Sequence, residues 1–145
     1  MKYSRFLYLQ ISDPTAFKHW LAESWHHFTS AKHIHSKDLI APTHLNIAFS
    51  AEGLRKLGLK DENFANFSRE FRDGMVNPHR SRLLGDSGDS CPKHWNWGND
   101  QNGTNVIHLC LMISGRDVND ENDLDKDKKV CLDYYAQLES EFSSI

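Results

Sequence analysis

The sequence is most informative first through what it lacks. No stretch of its 145 residues approaches the roughly 20 consecutive apolar residues needed to span a bilayer, so no membrane-spanning helix is expected. Charge of one sign is missing too. Seventeen Lys and Arg against 20 Asp and Glu leave a net charge of -3, which gives no electrostatic case for nucleic acid or an anionic membrane as partner. Cysteine is scarce: Cys91, Cys110 and Cys131 are odd in number, widely spaced and form no CxxC pair. That argues against a disulfide framework and against a zinc site, and favours a reducing compartment. The opening MKYSRFLYLQISDP has only a short apolar stretch, alternating with polar residues, unlike a secretory signal, so the expected location is cytoplasmic. There is no internal repeat. What remains is one globular domain spanning 1–145, with 39% hydrophobic and 26% charged residues.

The pattern along the chain mixes two periods. Residues 3–11, YSRFLYLQI, alternate, setting Leu7, Leu9 and Ile11 against Phe6, Tyr8 and Gln10. Asp13-Pro14 supplies an N-cap and a first-turn proline for a helix over 14–28 carrying Phe17, Trp20, Leu21, Trp25 and Phe28 on its stripe. The polar run TSAKHIHSKDLIAP reads as a connection with a short edge strand. THLNIAFS, 43–50, alternates again through Leu45, Ile47 and Phe49, and SAEGLRKLGL follows as a short helix capped by Ser50 and stopped at Gly58. A second helical segment from Ser68 presents Phe71 and Met75 together. NVIHLCLMI, 105–113, is a third strand with Ile107, Leu109, Leu111 and Ile113 on one face. A charged linker, GRDVNDENDLDKDKK, precedes a last helix with Leu124, Cys131, Tyr135, Leu138 and Phe142 on one stripe.

Strand, helix, strand, inserted helices, strand, helix is the order of an α+β, ferredoxin-like βαββαβ two-layer sandwich with an antiparallel sheet and helices on one face, incomplete without a following strand or second half. If Leu7, Leu9, Ile11, Leu45, Ile47, Phe49, Ile107, Leu109, Leu111 and Ile113 pack on the helices, the other face carries Phe6, Tyr8, Ala48, Val106, His108, Cys110 and Met112. That set is too apolar to face water, so a second sheet or domain is expected to cover it.

Between the inserted helices and the third strand lies LGDSGDSCPKHWNWG, 84–98, with three Gly, one Pro and two Trp in fifteen residues. The expectation is an irregular loop pinned by Trp95 and Trp97, its turns allowed by Gly85, Gly88 and Gly98. Of nine histidines, His33 and His35 are two apart and would share one face of a strand, but no acidic or cysteine partner at ligand spacing accompanies them. No metal site is assigned. His26-His27 ends the first helix, where a cation suits the dipole.

The runs LNIAFSAEGLRKLGL, FSREFRDGM, LLGDSGDSCPKHWNWG and NVIHLCLMI, in that order and spacing over 43–113, resemble the N-terminal half of the dye-decolourising (DyP-type) haem peroxidases. The resemblance implies a peroxide-dependent oxidation of dyes or phenolic substrates by a complete enzyme built from two ferredoxin-like halves whose sheets face each other. It also implies that haem belongs to the complete member, with none expected to be held by this chain alone. A haem peroxidase needs an axial imidazole, a distal acid or base to move the peroxide proton, and a cation for the charge that develops as the O–O bond breaks. In the family these are a proximal His, the Asp of a Gly-x-x-Asp-Gly motif and an Arg, none of which has a counterpart here. Accordingly no residue is assigned as catalytic and the cofactor-binding residues are left open.

EFRDG, 70–74, imitates that motif, with Glu70 where its first Gly belongs; for Asp73, solvent exposure or helix-end capping is the better reading. His108 is imaginable as a haem ligand but reads better as a hydrogen-bonded core or interface histidine. Trp95, Trp97, Tyr134 and Tyr135 are conceivable surface radical sites that packing explains more simply. Two functions follow: a DyP-type N-terminal portion, inactive alone and partnered by a missing C-terminal half, or a non-catalytic ferredoxin-like module that dimerises or binds a partner through its open sheet face.

Overall fold

A computed structural model describes residues 3–30, 43–99, 106–115 and 124–142. Three strands, β1 (Tyr3–Leu9), β2 (Thr43–Phe49) and β3 (Leu109–Gly115), form one antiparallel sheet in the order β1-β3-β2. The last strand in sequence thus lies between the first two, as the split pairing of a ferredoxin-like unit requires. The β1/β3 register is fixed at both ends. The amide of His108 donates to the Leu9 carbonyl at 3.0 Å, and Ser4 Oγ lies 2.8 Å from Ser114 Oγ. The chain divides into two compact units, residues 1–7, 13–48 and 110–145, and residues 8–12 and 49–109.

In the first unit, helices α1 (Pro14–Ser24) and α6 (Leu124–Phe142) supply the apolar layer. Asp13 caps α1 as its type predicts, accepting from the amides of Thr15 at 2.7 Å and Ala16 at 3.1 Å, with Pro14 in the first turn. Phe17, Trp20, Leu45, Leu111, Ile113, Cys131 and Leu138 are buried. Trp20 is the hub, with ring contacts to Phe17, Phe28 and Phe142 and its indole N–H donated to Glu141.

The expected helix over 14–28 is shorter. It ends at Ser24, and a 3-10 turn, Trp25–His27, takes its place. The change of winding carries Trp25 off the apolar stripe, and it stands 70% exposed. Phe28 instead forms an isolated parallel bridge to Leu45. The charged linker is also shorter than expected, because Leu124–Lys129 are the first turns of α6. Leu124, at its start, is exposed rather than on the buried stripe. The rest of the expected edge-strand connection, His33 and His35 included, lies outside the described residues.

In the second unit, α2 (Ala51–Lys56) begins at Ser50, whose Oγ accepts from the Gly53 amide at 3.0 Å. Two short helices that the periodicity did not announce, α3 (Asp61–Phe64) and α5 (Pro78–Leu84), flank α4 (Arg69–Asp73). α5 carries readable signals: Asn77 caps it through His79 N–H, Pro78 opens it, and Gly85 closes it at φ 78°, a left-handed conformation glycine adopts without a Cβ clash. The helical segment expected from about Ser68 through Val76 covers Arg69–Asp73 and stops at Gly74. β3 begins at Leu109, four residues later than its alternation suggests, because the carbonyls of Ile107 and His108 accept from Ser50 and anchor α2.

Candidate functional site

Residues 84–98 match the expectation in part: Leu84 still belongs to α5, two 3-10 turns, Gly88–Ser90 and Pro92–His94, take up part of the loop, and Trp97 rather than Trp95 stacks on a residue outside it. Gly85, Gly88 and Gly98 all have positive φ. Trp95 donates its indole N–H to the Ser90 carbonyl at 2.9 Å, and its own carbonyl accepts from Asn99 Nδ2 at 2.7 Å. Trp97 stacks on Tyr8 with ring centroids 4.5 Å apart. One indole thus closes the loop on itself, and the other ties it to the end of β1.

Beside this loop, within the second unit, is a cavity of about 440 Å³. Phe71 and Met75 line it together, as the sequence anticipated, along with both loop tryptophans and Ile107. Asp73 reaches its rim. The carboxylate is held by Arg69 Nε at 3.1 Å, one helical turn back, so it serves an i,i+4 ion pair rather than a helix-end cap.

His108 is a structural node. Its Nδ1 accepts the Ile11 amide proton at 2.8 Å, which places the proton of the neutral ring on Nε2. Its carbonyl accepts from both the amide and hydroxyl of Ser50. Burial, then the charge of Lys56, lowers its pKa below the ordinary histidine value, with Glu52 opposing. With one nitrogen lone pair spent on Ile11 and the other nitrogen protonated, His108 does not fit as an axial haem ligand. A second partly buried histidine, His44, lies 3.3 Å from Thr29 Oγ1 and is likewise shifted down, mainly by burial.

The other named residues have local roles. Arg5 lies 3.7 Å above the Tyr135 ring, whose hydroxyl donates to Glu139 at 2.8 Å; that hydrogen bond is the main reason its pKa rises. Burial raises the pKa of Tyr134, and of the free thiols Cys110 and Cys131, away from the thiolate form a nucleophile needs. Among the described residues no group of three or more His, Cys, Asp or Glu side chains is placed to hold a metal ion. None of the described helices is long and apolar enough to cross a membrane.

The sheet face turned away from α1 and α6 in the first unit carries Phe6, Ala48, Cys110 and Met112. Phe6 is 53% exposed, Ala48 exposed, and Cys110 and Met112 half-buried.

The first unit is thus an α+β sandwich with helices on one side of its sheet and apolar residues on the other. The chain belongs to the family described as the DyP dimeric alpha+beta barrel domain, which matches residues 1–133. Among solved structures it is similar to a DyP-type peroxidase from Anabaena sp., with TM-score 0.72 and 21% identity over 98% of this chain and 29% of that one. It is also similar to a dye-decolorizing peroxidase in complex with 2,6-dimethoxyphenol, with TM-score 0.62 and 26% identity over 97% of this chain and 27% of that one. The chain therefore spans less than a third of the length of the solved proteins it matches. A comparison with curated proteins finds no match.

Proposed function

We propose that residues 1–145 act as an N-terminal portion of a DyP-type haem peroxidase. The portion is inactive alone; peroxide-dependent oxidation of dyes or phenols belongs to the complete enzyme. On this reading the axial histidine, distal acid and arginine come from a second half, and the haem is held there. The observation that carries it is the open sheet face of Phe6, Ala48, Cys110 and Met112, which suits a second sheet laid against it. The match to the barrel-domain family and the likeness to DyP-type structures support the same arrangement. Free cysteines held as thiols suit a reducing, cytoplasmic setting.

The test is haem reconstitution of the 145-residue protein, read by absorption spectrum with a peroxide turnover assay beside it. We expect no stoichiometric haem and no turnover; a one-to-one haem complex that consumes peroxide overturns the proposal. The same exposed Phe6 and half-buried Met112 favour a second reading, a non-catalytic module that pairs through this face with another copy. Sedimentation separates them: a stable homodimer that resists exchange with a co-expressed C-terminal half supports the second.

A further inference from the structure

The cavity beside the tryptophan loop has no part in that reading. At about 440 Å³ it has the size of a small-ligand pocket, and Phe49, Phe71, Met75, Trp95, Trp97 and Ile107 give it aromatic and apolar walls. Trp97 spends one ring face on Tyr8 and is still 55% exposed, so indole surface remains uncovered among the described residues. Walls of this kind favour a planar ring, because offset or edge-on stacking adds about 0.5–1.5 kcal/mol beyond the area buried.

Charge decides what that ring should carry. Glu52, Glu70, Asp73 and Arg72 also line the cavity. Each carboxylate already has an arginine: Arg55 on Glu52, Arg80 Nη2 3.4 Å from Glu70, and Arg69 Nε 3.1 Å from Asp73. Arg72 has no such partner among the described residues. Two other polar groups at the wall are committed as well, the Trp95 N–H to Ser90 and the Ser50 hydroxyl to Ile107. One uncompensated guanidinium is left, and its planar fork matches a carboxylate in two parallel hydrogen bonds.

The geometry points to a binding site for a planar aromatic carboxylate, with its ring against Trp95, Trp97 and Phe71 and its carboxylate on Arg72. The experiment is calorimetric titration of the 145-residue protein with 2-naphthoate and with its neutral isostere 2-naphthamide. Naphthoate should bind saturably, one per chain, about tenfold or more tighter than the amide, the span of one charge-assisted hydrogen bond. Arg72→Gln should bring naphthoate down to the level of the amide and leave the amide unchanged. Met75→Trp, at an exposed lining position, should weaken both by filling the cavity. Both substitutions are at exposed sites, and circular dichroism and the urea midpoint verify folding. Equal affinity for acid and amide, full naphthoate binding by the Arg72→Gln protein, or no saturable binding of either compound overturns the assignment.

Discussion

A single histidine shows how much a residue's surroundings decide. His108 accepts the Ile11 amide proton only while Nδ1 is unprotonated, and burial has lowered its pKa. Its folded value lies below the unfolded value of about 6.5, so the unfolded chain binds more protons between the two. Stability should be level above about pH 6.5 and fall as the pH drops through the lowered folded value. His44 titrates in the same direction. In urea unfolding from pH 8 to 5, His108→Gln should show a shallower acid slope than the parent, with the remainder from His44. His108→Ala removes the acceptor altogether, leaves the Ile11 amide unsatisfied, and should cost about 1–3 kcal/mol at pH 8.

Gly53 makes the opposite point about propensity. It lies inside α2, where alanine ordinarily gains about 1 kcal/mol. A Cβ there would stand 1.9 Å from the His108 carbonyl oxygen, a backbone atom that cannot swing aside. Overpacking of this kind costs about 1–3 kcal/mol or more, so the clash outweighs the helical gain. Gly53→Ala should lower the urea midpoint; an unchanged or higher midpoint would contradict the close approach.

At the scale of elements, caps and contacts between layers differ in what they control. Asp13 begins α1 through two amide hydrogen bonds, and Asp13→Ala should cost about 1 kcal/mol in thermal or urea unfolding. Gly115 ends β3 where a Cβ would meet Asp127 O at 2.6 Å and Cys131 N at 2.8 Å, so the strand lies directly on the α6 backbone. Gly115→Ala should therefore be the more damaging change, by the same overpacking range of about 1–3 kcal/mol. Elements with two agreeing signals were legible: β1 and β2 through strict alternation, α1 and α2 through alternation followed by a cap. α5 was missed although Asn77-Pro78 and Gly85 mark both its ends, because PHRSRLL has no apolar stripe and its Leu83 and Leu84 are exposed. The end of α1 could not be read because Trp25 and Phe28 continue its period; only the 3-10 turn after Ser24 takes them elsewhere.

For the whole molecule, the open sheet face is the feature on which the proposed assembly with a second half rests. Phe6→Glu alters a side chain that is already half in water, so the isolated chain should keep its stability within about 0.5 kcal/mol. The same charge placed in a sheet-to-sheet contact would be buried without a partner. Co-purification with a DyP-type C-terminal half should therefore be lost in the Phe6→Glu protein while the parent retains it. Retention by both would remove this face from the assembly.

Alternation, capping residues and glycine placement are local properties of the chain, and they determined the α+β class, the strand faces, the start of α1 and the pinned tryptophan loop. Motif order over 43–113 carried the family. Tertiary structure alone decided that His108 is spent on Ile11, that Asp73 belongs to Arg69, and that Arg72 is left over beside an aromatic cavity. The reason is physical: a hydrogen bond between residues 97 apart, or the matching of each carboxylate to one arginine among several, depends on distances that sequence spacing does not encode.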